Sequence, residues 1–272
     1  MSLLPKPTVE ADAWVLRVWP CGETSIIASL LTRKYGYVRV VAKGARGARS
    51  RLRPLVEPGR LVNVEFSWDP DRELQYLRSG SVLMDSLSGS PTLEGTTFLL
   101  AALELADRCR PILGSRDDRT AGEVFAVCEE FLRVLSSDAC GDPALLFFAF
   151  EWELLQRHGM APEVAFCVSC GESPADKAES VTWFSPSDGG LVCGGCAHLG
   201  EGSRGNPLGP EALACLRRLS SCGLDIPVEQ PMARSLRRQI GGHLHRFLGY
   251  HLPGYRLPSA LELLRVGKES SR

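Results

Sequence analysis

The stretch AWVLRVWPCGETSIIASLLTRKYGYVRVVAK, residues 13–43, breaks into three runs rich in β-branched and aromatic residues, at 13–19, 25–32 and 37–43, with Pro20, Gly22 and Gly36 between them. Such runs predict strands, because branched and aromatic side chains suit a pleated surface while Gly and Pro interrupt the ladder. Two more follow, RLVNVEFSW at 60–68 and LQYLRSGSVL at 74–83, bordered by Pro58-Gly59 and Asp69-Pro70. Five short strands at this spacing predict a small closed barrel; the OB-fold leads, with an SH3-like barrel as the alternative. Alternation predicts the faces. Trp14, Leu16 and Val18 share one face of the first strand, and Val15, Arg17 and Trp19 the other. In the third, Val38, Val40 and Ala42 oppose Arg39, Val41 and Lys43, and Phe66 is assigned to the core with Val62 and Val64.

Beyond residue 90 the apolar period lengthens to that of helices. Helices are expected over 90–109, 121–135 and 210–222, and over the run that Asp142 caps, Pro143 opens and Gly159 stops. A last one, at roughly 231–251, repeats Met232, Leu236, Ile240, Leu244 and Phe247. Gly241-Gly242 weakens it by about 1 kcal/mol per glycine. The expected class is therefore α+β, β then α. Residues 1–84 form an OB-fold nucleic-acid-binding domain, and 90–272 a helical domain interrupted by a cysteine-rich insert at 163–200.

The chain has 272 residues, 44% of them hydrophobic, and a net charge of −1, which suits a globular protein with a sizeable core. No secretory leader is read at its start. The most apolar run, ALLFFAF at 144–150, meets Glu151 and Glu153 well short of the ~20 residues that span a bilayer. Ten cysteines without a secretory leader point to a reducing cytoplasm and to metal ligation rather than disulfides. Cys167 and Cys170 form one CxxC, Cys193 and Cys196 a second, with 22 residues between the pairs. Two such turns can aim four thiolates at one ion, a tetrahedral shell that Zn²⁺ accepts. The reading is one structural zinc, since four protein ligands leave no open position for water. A hairpin with PSDGG at its turn is expected to carry the second pair. His198 is a spare ligand that nothing requires. The remaining cysteines, Cys21, Cys109, Cys128, Cys140, Cys215 and Cys222, are expected to be small buried apolar residues.

Positive charge is concentrated in one place. From Arg33 to Arg60 nine basic residues face one acid, Glu57, a local charge of +8 that leaves −9 for the rest of the chain. The third strand continues into the loop KGARGARSR, where glycines let a polyanion approach the backbone and arginines supply planar donors for phosphate. This predicts a nucleic-acid surface made by Arg17, Arg33, Lys34, Arg39, Lys43, Arg46, Arg49, Arg51 and Arg53. Trp19, beside Arg17, is the leading stacking candidate, followed by Tyr35 and Tyr37. A solvated charged loop is the competing account. No phosphate-binding P-loop, HExxH or GxSxG is present, and Glu151 and Glu153 lie on different helix faces, so no enzyme is expected.

The run GETSIIASLLTRKYGYVRVVAKGARGARSRLRPLVEPGRLVNVEF closely resembles the amino-terminal module of the RecO family of DNA repair proteins. The CxxCG and GGxxCxxC pairs and the closing LPGYRLPSALELLR extend the resemblance over nearly the whole chain. It implies an OB-fold followed by a helical domain with a zinc insert, and no catalytic residue. It also implies a recombination mediator that binds single- and double-stranded DNA, anneals complementary strands and, with RecR and in some pathways RecF, helps RecA replace single-strand binding protein. Such a protein is cytoplasmic and associated with the nucleoid. The basic segment carried over is Arg39, Lys43, Arg46, Arg49 and Arg51. An alternative from another class is a zinc-containing OB-fold RNA-binding or ribosome-associated protein; a third is a scaffold whose loop binds an acidic protein.

Overall fold

The computed structural model describes residues 7–88, 92–110, 118–137, 140–174, 182–198, 205–227 and 231–264. The chain folds as two compact units, Met1–Ser136 together with Pro258–Arg272, and Ser137–Leu257.

In the first unit, β1 (Thr8–Cys21), β2 (Ser25–Thr32), β3 (Gly36–Ala42), β4 (Arg60–Ser67) and β5 (Leu74–Asp85) close into a barrel in the order β1-β2-β3-β5-β4. Neighbours are antiparallel except β3 and β5, which run parallel over a short stretch and seal the barrel. This is the five-stranded OB arrangement that the strand spacing predicts. Ala13, Val15, Leu30, Val38, Val40, Val62, Val64 and Phe66 fill the interior. The faces of β3 and β4 are those expected from alternation.

β1 departs from it. Its register with β2 shifts between Val15 and Arg17, so Ala11, Ala13 and Val15 point inward and then Val18 packs against the same core. A bulge takes up one residue and reverses the parity beyond it. Val15 therefore does not share a face with Arg17 and Trp19.

The outward side of β1 and β2 is buried too, because α1 (Leu93–Cys109) and α2 (Asp118–Leu135) lie against it. Trp14, fully buried, sits 6.5 Å from the ring of Phe125, and the Tyr37 hydroxyl donates to the Ala106 carbonyl at 3.0 Å. Burial on both faces accounts for the nearly unbroken apolar run at 13–16. Thr92 caps α1 by accepting from the Gly95 N–H at 3.0 Å. Glu104 on α1 accepts from the Ser259 N–H, the Ser259 hydroxyl and the Ala260 N–H at 2.9, 2.8 and 3.1 Å, holding the returning segment Ser259–Glu262 on this unit.

The second unit is built on α3 (Pro143–Arg157), which is buried on nearly every side from Ala144 to Leu155. Asp142 caps it, accepting from the N–H groups of Ala144 and Leu145. The same carboxylate also accepts from the Met232 N–H at 2.6 Å and from Arg237 at 3.3 Å. β6 (Thr182–Ser185) and β7 (Gly190–Val192) form the expected hairpin, α4 (Gly194–Ala197) follows, and β8 (Asn206–Leu208) adds a third strand in the order β7-β6-β8. Then come α5 (Pro210–Cys222) and α6 (Arg234–His251). Met232 precedes α6 instead of lying on its apolar stripe. A Cβ at Gly241 would meet the ring of Phe148 at 3.4 and 3.5 Å, ordinary contact distance, so α6 lies against α3 here without requiring glycine. No helix of the described residues is long and apolar enough to cross a membrane.

Candidate nucleic-acid interface and metal centre

The basic loop after β3 has a defined course. Ala45 is fully buried in the barrel core and Leu52 packs against it, so two small apolar anchors pin a loop whose intervening side chains face water. Tight turns fill the span: the N–H of Gly47 bonds the Gly44 carbonyl at 3.1 Å and that of Ser50 the Gly47 carbonyl at 3.0 Å, with Gly44 at φ +69°. That conformation favours glycine. Arg49, Arg51 and Arg53 are exposed and make no side-chain hydrogen bond or ion pair among the described residues. Arg46 is exposed as well but donates to the Gly22 carbonyl at 3.1 Å, tying the loop to the β1–β2 turn. Lys43 is exposed, its ammonium 4.9 Å from the Tyr76 ring. Guanidinium groups held apart from acids on an anchored loop present an unneutralised positive surface.

Other predicted residues sit differently. Arg33 forms a fork on the Glu129 carboxylate at 2.9 and 3.0 Å and lies 4.5 Å over the Phe125 ring, so it fastens α2 to the β2–β3 turn. Lys34 is exposed beside Tyr35. Tyr35 is half-buried among Phe66 and Trp68, at 5.8 and 5.0 Å. Trp19 is half-buried with Arg39 5.8 Å from its ring, and Arg17 is exposed in a groove beside α1 lined by Leu100 and Glu104. Arg60, counted in the basic run, is taken up by Glu57 and Asp85 at 2.7 and 2.8 Å and by the Pro54 carbonyl. Sequence separation hid the Arg33–Glu129 pair, 96 positions apart. It also hid Arg110, which the structure brings beside Arg39.

The cysteines converge as their spacing predicts. The sulfurs of Cys167, Cys170, Cys193 and Cys196 all lie within 4.8 Å of one another, and those of Cys170 and Cys193 are 3.8 Å apart. Tetrahedral coordination with metal–sulfur bonds of about 2.3 Å puts sulfurs about 3.8 Å apart. The first turn closes by the Gly171 N–H bonding the Cys167 carbonyl at 2.8 Å, with Gly171 at φ +74°; the Val168 N–H then bonds Leu191, docking this turn on the second. Burial by itself would raise the Cys167 thiol, but N–H groups of Cys193, Cys170 and Ser169 outweigh it and hold the thiol at about 6. Cys196 is pushed up to about 12, chiefly by its hydrogen bond with the Cys193 thiol. Four such groups lose their protons together only around a cation. The donor set fits a metal ion held for structure. Beside it, Cys167, Val192 and Ala197 form a small buried cluster, with Trp183 packed against them. His198 stacks edge-on against Trp183 at 5.7 Å and lies outside the cluster. Of the scattered cysteines, Cys109, Cys128 and Cys215 are buried as expected, while Cys21, Cys140 and Cys222 are only half-buried.

A closed five-stranded barrel with an arginine loop, followed by helices and a four-cysteine centre, is now matched by family comparison. The model for the amino-terminal domain of recombination protein O covers residues 6–84, and that for its carboxy-terminal domain covers 91–260. The chain belongs to the RecO family. The DNA repair protein RecO of Anaeromyxobacter dehalogenans strain 2CP-C is 34% identical over 95% of this chain and 97% of its own length. The RecO proteins of Myxococcus xanthus and Bacillus pumilus are 29% and 26% identical, each over 94% of this chain and at least 96% of their own. The resemblance read from the amino-terminal run thus extends through the helical unit and the cysteine pairs.

Proposed function

We propose that this RecO-family protein is a nonenzymatic mediator of DNA repair and recombination that holds DNA on its barrel. The observation that carries this reading is the anchored loop on which Arg49, Arg51 and Arg53 stand exposed and without acidic partners. Phosphate contacts from such a loop position a strand without reading its bases, which suits a protein that must act on any sequence. Lys43, Arg46 and Arg39 extend the surface, with Arg17, Lys34 and the rings of Trp19 and Tyr35 at its margins. Arg33 is assigned to holding α2 rather than to phosphate. In this reading the protein binds single- and double-stranded DNA and anneals complementary strands. It works with RecR, and with RecF where that protein takes part, to load RecA on strands coated by single-strand binding protein, in the nucleoid of the cytoplasm. The metal is one zinc per chain, holding the insert.

The test is annealing of complementary strands coated with single-strand binding protein. Acceleration by the purified protein is expected; absence of acceleration, with the protein folded, overturns the mediator reading. Competition among single-stranded DNA, duplex DNA and structured RNA checks the DNA preference, and strong preference for RNA would transfer the barrel to RNA.

A further inference from the structure

At one end of the barrel, β3, the β4–β5 connection and the end of α1 enclose a cleft of about 450 Å³, lined by Tyr35, Tyr37, Arg39, Trp68, Glu73 and Arg110 among others. Its size falls within the ~300–1,000 Å³ typical of small-ligand sites. Arg110 ends α1, and Tyr37 fixes that helix end against β3 through its bond to the Ala106 carbonyl at 3.0 Å. Two guanidiniums are thereby brought together. Buried N–H groups of both, Nε of Arg39 and Nη1 of Arg110, have no hydrogen-bond partner among the described residues. Burial, and next the charge of Arg39, lowers the proton affinity of Arg110, the sign of two like charges crowded in a partly dry site. The nearby acids offset this only in part: Glu73 stands 3.7 Å from Arg39 with 85% of its side chain exposed, and Asp107, which accepts from the Ser29 hydroxyl, acts on Arg110 without bonding its unpartnered N–H. Tyr35 and Trp68, whose rings meet at 5.0 Å, line the same cleft and give it aromatic surface.

Crowded guanidiniums with unsatisfied donors favour an oxyanion, and aromatic faces favour a planar base. A phosphomonoester, with about −1.5 to −2 charges near neutral pH, answers two cations better than the single charge of an internal phosphodiester. We propose that this cleft binds a terminal nucleotide, its phosphomonoester between Arg39 and Arg110 and its base against Tyr35 and Trp68. The inference rests on the DNA-binding reading above and deepens it: beside a loop that grips any stretch of strand, the barrel carries a pocket that recognises a phosphorylated strand end. A free nucleoside monophosphate has the same chemistry.

The test compares four-nucleotide DNAs bearing a 5′-phosphate, a 3′-phosphate or neither, bound to the intact protein and to Arg110→Gln and Arg39→Gln variants shown to be folded. One phosphorylated form should bind about tenfold more tightly than the unphosphorylated one, the factor a single charge-assisted hydrogen bond contributes. Arg110→Gln should abolish that preference. Deoxyadenosine monophosphate as competitor assigns the source: displacement at matched concentration identifies a free nucleotide, and failure to displace identifies the strand end. Equal binding of all three DNAs, or a preference that survives both substitutions, overturns the pocket and leaves the DNA reading standing. Loss of all oligonucleotide binding, with Arg110-dependent binding of the monophosphate retained, would instead remove the DNA reading and keep the pocket.

Discussion

The barrel and the cysteine insert are both small β structures, and they are held together by opposite means. The barrel closes on itself and packs an interior from all five strands, including Val15, Leu30, Val40, Val64 and Phe66. The insert has a three-stranded sheet, a small buried cluster of Cys167, Val192 and Ala197 beside its cysteines, and Phe184 seated on Phe247 of α6. A sheet this small gains from a cross-link, and four thiolates converging to hold a metal would supply one. The barrel, stable through apolar burial, can leave arginines on its loop without partners. In the insert the polar groups of interest are consumed in holding the fold. The same contrast separates arginines within the barrel: Arg60 and Arg33 are spent on structure, Arg49 and Arg51 are not.

Removing the metal should break this comparison most sharply. Chelation, or replacement of Cys167 and Cys193 by Ser, should melt the insert while the barrel keeps its intrinsic affinity for DNA. Amide exchange in the two units and metal analysis check this; a protein that carries no zinc when purified reduced and without chelators would refute it.

The next largest effect belongs to the loop. Affinity for single-stranded DNA should fall with salt at a log–log slope of about −0.7 per phosphate contact, and replacing Arg46, Arg49 and Arg51 by Ala should flatten it by up to about two units. The loss should be uniform across unrelated sequences. Wild-type affinity and slope in a folded triple variant would mean that the loop is merely solvated.

Asp142→Ala should cost about 2 kcal/mol or more, beyond an ordinary cap, because that fully buried carboxylate also serves Met232 and Arg237. Denaturant titration measures it, and zinc content should not change. Arg60→Ala gives a smaller loss, about 1 kcal/mol, from its half-buried pairs with Glu57 and Asp85. Unlike the loop substitutions it should leave the salt slope intact; a flattened slope would place Arg60 on the DNA.

The smallest effect is a pH dependence within the helical unit. Glu151 is fully buried, and burial raises its carboxyl well above the ordinary 4.5. Burial likewise lowers His243 and His245 to about 4. Burial thus favours the neutral form of both groups, which argues against an ion pair at the 3.3 Å approach of His245 to Glu151. The folded state keeps a proton on Glu151 that the unfolded chain releases above about 4.5, so this group's contribution falls as pH rises from there. The histidines act in the other direction, since the unfolded chain takes up protons below about 6.5 that the folded one refuses until about 4. Glu151→Gln should flatten the alkaline side alone, gaining stability relative to wild type at pH 8 compared with pH 5. An unchanged profile would show that Glu151 is ionised in the fold.

What the amino-acid sequence determined by itself is local. Strand positions, the cap at Asp142, the hairpin at PSDGG and the four convergent cysteines are written within short windows, by period, by turn chemistry and by two-residue gaps that suit one ion. The tertiary structure alone decided which surfaces stay free. The bulge after Val15 depends on register with β2, and the apolar outward side of β1 could not be told from core before α1 and α2 covered it. Arg33 was indistinguishable in composition from Arg49 until Glu129, far along the chain, reached it. Arg39 gained its counterpart only where α1 ends beside β3. Charge is a property of residues, but whether a charge is spent or available depends on distances between residues remote in sequence, and only packing sets those.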